Sequence, residues 1–182
     1  MSEEQGSVAM KELVIGLMLW ISTLTGWAVP PAPEVIYENG KVLKHMLYGC
    51  DNPRTEESKE ICTRIEKTTI LGTRKDTTMG LYDHKEKIVY LNPLLKKHDK
   101  PVHDSVLLHE LVHHMQFHNK VKFRCLGELE EKAYMLQDKW LRKKGKKSVF
   151  EELEISPLYF YIIIQCPEEG EGMFSMPPDY EK

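Results

Sequence analysis

His109-Glu110-Leu111-Val112-His113-His114 is the stretch that decides how this chain is read. It contains one HExxH pattern. On a helix, positions i and i+4 share a face roughly 5–6 Å apart. His109 and His113 could therefore grip one Zn²⁺ from the same side, with Glu110 beside the metal to take a proton from its water. Zinc peptidase chemistry requires this spacing. Around the motif, Val106, Leu107, Leu111, Val112 and Met115 make most of the helix circumference apolar, so burial is expected. The expected helix covers 104–118, with Asp104 or Ser105 as its cap. His114 and His118 are also i, i+4, but no Glu follows His114, and the pair is turned by about 100° from the first. They are read as surface or supporting residues. His45, His84, His98 and His103 stand in polar surroundings and are expected to be solvated.

A catalytic zinc needs a third protein ligand and an open position. Downstream, Leu129, Ala133, Leu136 and Trp140 recur at helical spacing, and Glu130, Tyr134, Gln137 and Leu141 form the adjoining stripe. Glu130 fits best as the ligand, because small Ala133 allows close helix approach. Glu131 and Glu128 point elsewhere by about 100° and 200°. They stay open as alternatives, since acidic residues in a first turn also suit the helix dipole. Cys125 is a rival, in a rarer donor set.

Glu130-Glu131-Lys132-Ala133-Tyr134 after HExxH resembles the gluzincin pattern of metallopeptidases. More broadly, the chain resembles an uncharacterised bacterial family of small HExxH proteins of unknown function. The matching stretches are Trp20–Gly26, Gly80–Asp83, Ile88–Leu91, Ser105–Gln116, Cys125, Ala133-Tyr134, Gln137, Trp140-Leu141 and Cys166-Pro167. Their order is consistent over residues 13 to 167. The resemblance implies a compact gluzincin-like zinc fold and supplies no substrate. It departs at Lys132, where similar sequences often carry an acidic residue. It also makes Cys125–Cys166 the first disulfide to expect among Cys50, Cys62, Cys125 and Cys166, against four reduced thiols.

With 182 residues, 41% hydrophobic and 29% charged, the chain reads as one globular domain. The net charge of −3 and the lack of a long basic run argue against nucleic acid. Residues 1–12 are expected to be a flexible segment, 13–167 the domain and 168–182 a tail. Leu13 to Leu24 is nearly continuous apolar sequence. It reads as a core helix in preference to a signal peptide or membrane anchor, ending at Pro30-Pro31. Localisation stays open between cytoplasmic and secreted or periplasmic. Glu34–Tyr37 suits a strand and Lys41–Tyr48 a helix, while 51–60 and Ile61–Leu71 have no firm assignment. Met79–Tyr82 and Lys87–Leu91 read as a hairpin. If the strand before the HExxH helix is an edge, it could pair with an extended peptide. Ser156-Pro157 is read as opening a helix over Leu158–Ile164, although its β-branched residues would equally suit a buried strand.

The expectation is an α+β, zincin-like domain hydrolysing peptide bonds. His109, His113 and Glu130 would hold Zn²⁺, Glu110 would be the general base, and Tyr134 would support Glu130 or the oxyanion. The alternative is a catalytically inert zincin-like binding or structural module.

Overall fold

The protein is described by a computed structural model over residues 3–47, 59 and 78–166. Cys50, Cys62, nearly all of 51–71 and the expected tail lie outside the described residues. The fold is mixed α+β. Among the described residues, the elements are α1 (Glu3–Thr25), β1 (Glu34–Tyr37), α2 (Gly40–Leu47), β2 (Gly80–Asp83), β3 (Ile88–Leu91), a 3-10 turn (Pro93–Lys97), α3 (Lys100–His118), α4 (Leu126–Lys143), α5 (Val149–Glu152) and α6 (Pro157–Ile164). The chain divides into two compact units, one of Pro33–Asp99 and one of Met1–Ala32 with Lys100–Lys182.

In the Pro33–Asp99 unit the sheet order is β1-β3-β2. β3 pairs in parallel with β1 (Glu34 opposite Ile88) and antiparallel with β2 (Asp83 opposite Ile88). The hairpin forms as expected, its loop closed by Asp83 Oδ1 accepting from the Lys85 and Glu86 amides. Lys87 takes a left-handed φ of 58° to re-enter the strand. β3 is not an edge: both of its sides are paired, so the condition for pairing with an extended peptide is not met at this strand. Asn92 ends β3, and its Oδ1 caps the 3-10 turn at the Leu94 amide.

The other unit is helical among the described residues, and the α3–α4 pair is its most extensive packing. α3 starts at Lys100, four residues earlier than expected. Pro101 is tolerated in the first turn, where amides have no helical partner anyway. Asp104 and Ser105 are therefore buried inside the helix and are not its cap. Ser105 donates to the Val102 carbonyl at 2.8 Å, and Asp104 takes ion-pair contacts from Lys100 and His103. Val106, Leu107, Leu108, Leu111, Val112 and Met115 are all buried.

α1 packs Val14, Leu17, Met18 and Ile21 inward at three- and four-residue steps. It begins at Glu3, so residues 3–12 are helical. It ends at Gly26, not at the prolines: Gly26 adopts φ 73° and its amide bonds the Ser22 carbonyl at 2.8 Å, a left-handed cap. By length and composition alone, Ser7–Thr25 could cross a membrane. The segment after α1 is tied to the end of α3. Asn119 exchanges two hydrogen bonds with the Ala28 backbone, at 2.8 and 3.0 Å. His114 Nε2 reaches the Pro31 carbonyl at 2.9 Å.

α4 turns Leu129, Ala133, Leu136 and Trp140 inward as expected, with Gln137 and Leu141. Trp140 meets Trp20 of α1 edge to face at 5.4 Å. α5 was not anticipated, although Ser148 and Glu151 form a capping box that marks it. α6 is bound to the start of α4 by the Cys125–Cys166 disulfide, with Cα atoms 5.5 Å apart. It also approaches so closely that a Cβ on Gly127 would lie 2.5 Å from the Ile164 carbonyl oxygen and 2.6 Å from its carbon. Both collision partners are backbone and cannot rotate away. Gly127→Ala should therefore cost roughly 1–3 kcal/mol, the range for overpacking. Denaturant unfolding with the disulfide intact checks it, and a change within 0.3 kcal/mol would show that the approach is not tight.

Candidate metal centre

Helical periodicity places His109 and His113 on one face of α3, one turn apart. Their rings meet edge to face at 4.9 Å, and their Nε2 atoms lie 3.2 Å apart. Glu130, on the second turn of α4, spans both. One carboxylate oxygen is 3.3 Å from His109 Nε2 and the other is 3.4 Å from His113 Nε2. Fully buried Ala133 lets α4 come this close. Glu128 and Glu131 are not brought in. Glu128 is held by Arg124 at 2.6 Å, and Glu131 faces solvent. Cys125 is committed to its disulfide. His118 and His98 are exposed, whereas His84 and His103 are half-buried, not solvated as expected.

These residues fit a metal ion. The three donor groups lie within 4.8 Å of one another. An ion bonding nitrogen and oxygen at about 2.0–2.1 Å with tetrahedral angles has ligand–ligand edges of about 3.3–3.4 Å. The observed separations of 3.2, 3.3 and 3.4 Å are close to that triangle. The exposures of the side chains, 10% for His109, 17% for His113 and 36% for Glu130, leave the triangle reachable from solvent on the Glu130 side.

The electrostatics ask for a cation. Burial opposes charge on His113, but the Glu130 carboxylate beside it, with help from Glu110, wins and pushes its pKa up to about 9. Burial likewise opposes the Glu130 charge, yet the two imidazoles hold its carboxyl well below the usual range. A protonated His113 supplies positive charge beside Glu130.

Tyr134 packs its ring on His109 at 4.5 Å and on Phe160 of α6 at 5.3 Å. Burial, then the Glu130 charge, pushes its phenol well above the ordinary value, so it stays protonated. Glu110 is buried on α3, and its charge is felt by both His113 and Tyr134. Two residues were placed in the matching pattern without a role: Gln116 and Gln137. Gln116 Oε1 is 2.9 Å from His113 Nδ1, and Gln137 Oε1 is 3.0 Å from His109 Nδ1. The available signal was an uncharged amide on a buried stripe. Such a group is costly to bury unless it is hydrogen-bonded, and Gln137 lies seven residues past Glu130 on the same face.

A family model matches residues 49–157, more than half of the chain and including all of His109, Glu110, His113, Glu130 and Tyr134. The chain belongs to the family described as Domain of unknown function (DUF6647). The match stops short of α1 and reaches only the first residue of α6, so Cys166 lies outside it. Neither the curated proteins nor the solved structures contain a match.

The raised pKa of His113 has a consequence for stability. A histidine whose pKa rises on folding, here from 6.5 to about 9, contributes stability that is fully present below 6.5 and lost as pH rises through 9. The metal-free protein should therefore melt at falling temperature between those limits. Added zinc should remove most of that slope by replacing the proton, and should stabilise by about 2.7 kcal/mol at 100-fold over Kd. Calorimetry at several pH values, with chelator or with zinc, checks this. A melting curve indifferent to both would count against a cation-binding centre.

Proposed function

We propose that the protein is a zinc-dependent peptidase built on a zincin-like, gluzincin-type domain. The reading rests on one observation: two imidazoles from one helix and a carboxylate from the next converge to metal-ligand spacing beside a buried Glu110. His₂Glu is a donor set of catalytic zinc sites that keep one position open. Bound there, zinc would supply Lewis acidity, polarising a carbonyl and lowering the pKa of a water toward about 7.

The chain's own residues carry the remaining steps. Glu110 follows His109 and is turned from it by about 100°, so its carboxylate lies beside the donors instead of among them. From there it accepts the proton of the attacking water and returns it to the leaving amine. Tyr134, kept protonated, is a hydrogen-bond donor for an oxygen that becomes negative as the carbonyl is attacked. Apolar α3 lies behind this group and keeps bulk water from that side. The substrate is a peptide or an unstructured protein segment, which can reach a site open at Glu130. A zinc-holding module that binds a partner and cleaves nothing is the competing reading.

Glu110→Gln separates the two, because it removes the base and spares the donors. Zinc content by elemental analysis and the fold by circular dichroism should be unchanged. Cleavage of an unstructured protein or peptide library should fall by 10²–10⁴-fold. Glu130→Gln should instead lose zinc, and Glu131→Gln should keep it. Fully zinc-loaded wild type that cleaves nothing in a broad library would hand the reading to the binding module.

A further inference from the structure

The two glutamines behind the histidines are each anchored at their far end. Gln116 Nε2 donates to the Leu129 carbonyl of α4 at 3.0 Å. A carbonyl can only accept, so the amide cannot be flipped, and Gln116 Oε1 must face His113. Gln137 Nε2 donates to Ser105 Oγ at 3.3 Å, and the Ser105 hydroxyl is spent on the Val102 carbonyl at 2.8 Å. Gln137 Oε1 therefore faces His109. An amide oxygen has no proton to give, so both imidazoles must donate through Nδ1. Their Nε2 lone pairs are left pointing at each other and at Glu130, three acceptors around one point.

We infer that Gln116 and Gln137 are positioning residues, which hold His113 and His109 as Nδ1–H tautomers with Nε2 presented to a cation. Gln116 does more than orient. It links His113 on α3 to the backbone of Leu129, the residue before Glu130, so one side chain sets the distance between the donors of the two helices. Gln137 does the same for His109 through a relay that ends on α3 itself. Both relays are neutral.

The two relays differ in what they tolerate. Ser105 gives up its bond to the Val102 carbonyl only for a charged acceptor, whose hydrogen bond is stronger, so Gln137→Glu keeps an acceptor on His109 Nδ1 and finds a donor behind it. Leu129 offers only a carbonyl, so Gln116→Glu sets two acceptors against each other and pulls α4 away. The affinity arm of the test rests on the metal reading of the site; the tautomer arm does not. Gln137→Leu and Gln116→Leu should each weaken zinc and cobalt binding 10–100-fold, measured by chelator competition. Gln137→Glu should restore wild-type affinity or better, and Gln116→Glu should not. A packing role alone would make the buried charge worse than leucine at both positions. In the metal-free wild type at alkaline pH, with both rings neutral, ¹⁵N side-chain spectra should show Nδ1–H for His109 and His113. Leucine variants that bind metal like wild type, or Nε2–H rings in the metal-free protein, would overturn the inference. If wild type binds neither metal, the peptidase proposal fails, and the spectra still decide the tautomers.

Discussion

Two imidazole nitrogens and a carboxylate face one another in this helix pair, and with the rings neutral as Nδ1–H tautomers they would need positive charge between them. A carboxylate and two imidazole nitrogens at 3.2–3.4 Å repel unless a proton or a metal ion sits among them. The surrounding packing holds them there. α3 is buried almost around its circumference, so it can neither rotate nor slide to relieve the repulsion. α4 approaches it over Ala133, where a larger side chain would push Glu130 out of reach. The same helices that make the core thus also set the spacing of the three donor groups.

The far side of α4 is fixed by covalent and steric means. The disulfide joins its N-cap residue to the end of α6 across 41 residues, and closing a loop of that length in the unfolded chain is worth about 4 kcal/mol. Phe160 of α6 bears on Tyr134, and Tyr134 bears on His109. This makes a row of aromatic contacts from the C-terminal helix to a donor ring. A small core of Val102, Leu141 and Val149, with Tyr134 and Phe150 against it, fills the corner between α3, α4 and α5.

The parts legible in the sequence were those that a periodic pattern carries. The i, i+4 histidines and the stripe of Leu129, Ala133, Leu136 and Trp140 placed two helices and turned Glu130 toward the first. Strand formers around Asp83–Lys87 placed the hairpin. What was missed depended on tertiary partners. No local signal says that β3 takes a third strand on its free side, because β1 comes from over 50 residues upstream. Gly26, and not Pro30, ends α1 because a left-handed cap satisfies the last carbonyls before the prolines are reached. Asp104 resembles a cap in sequence, yet it is buried one turn inside α3. The glutamine relays depend on atoms such as the Leu129 carbonyl, which a one-dimensional pattern does not display.

Charge balance joins these observations. Glu130 and Glu110 place two negative charges against an apolar helix, where unpaired charge is costly. A proton on His113 offsets one of them, whereas a divalent ion held by the same three donors offsets both. A carboxylate in place of Gln116 would add a negative charge with only the Leu129 carbonyl behind it. Neutral amides orient the rings without disturbing that balance. An arrangement that needed only to be stable could have closed this gap with leucine and methionine. Keeping two carboxylates, two imidazoles and two amides in it supports the proposal of a cation site.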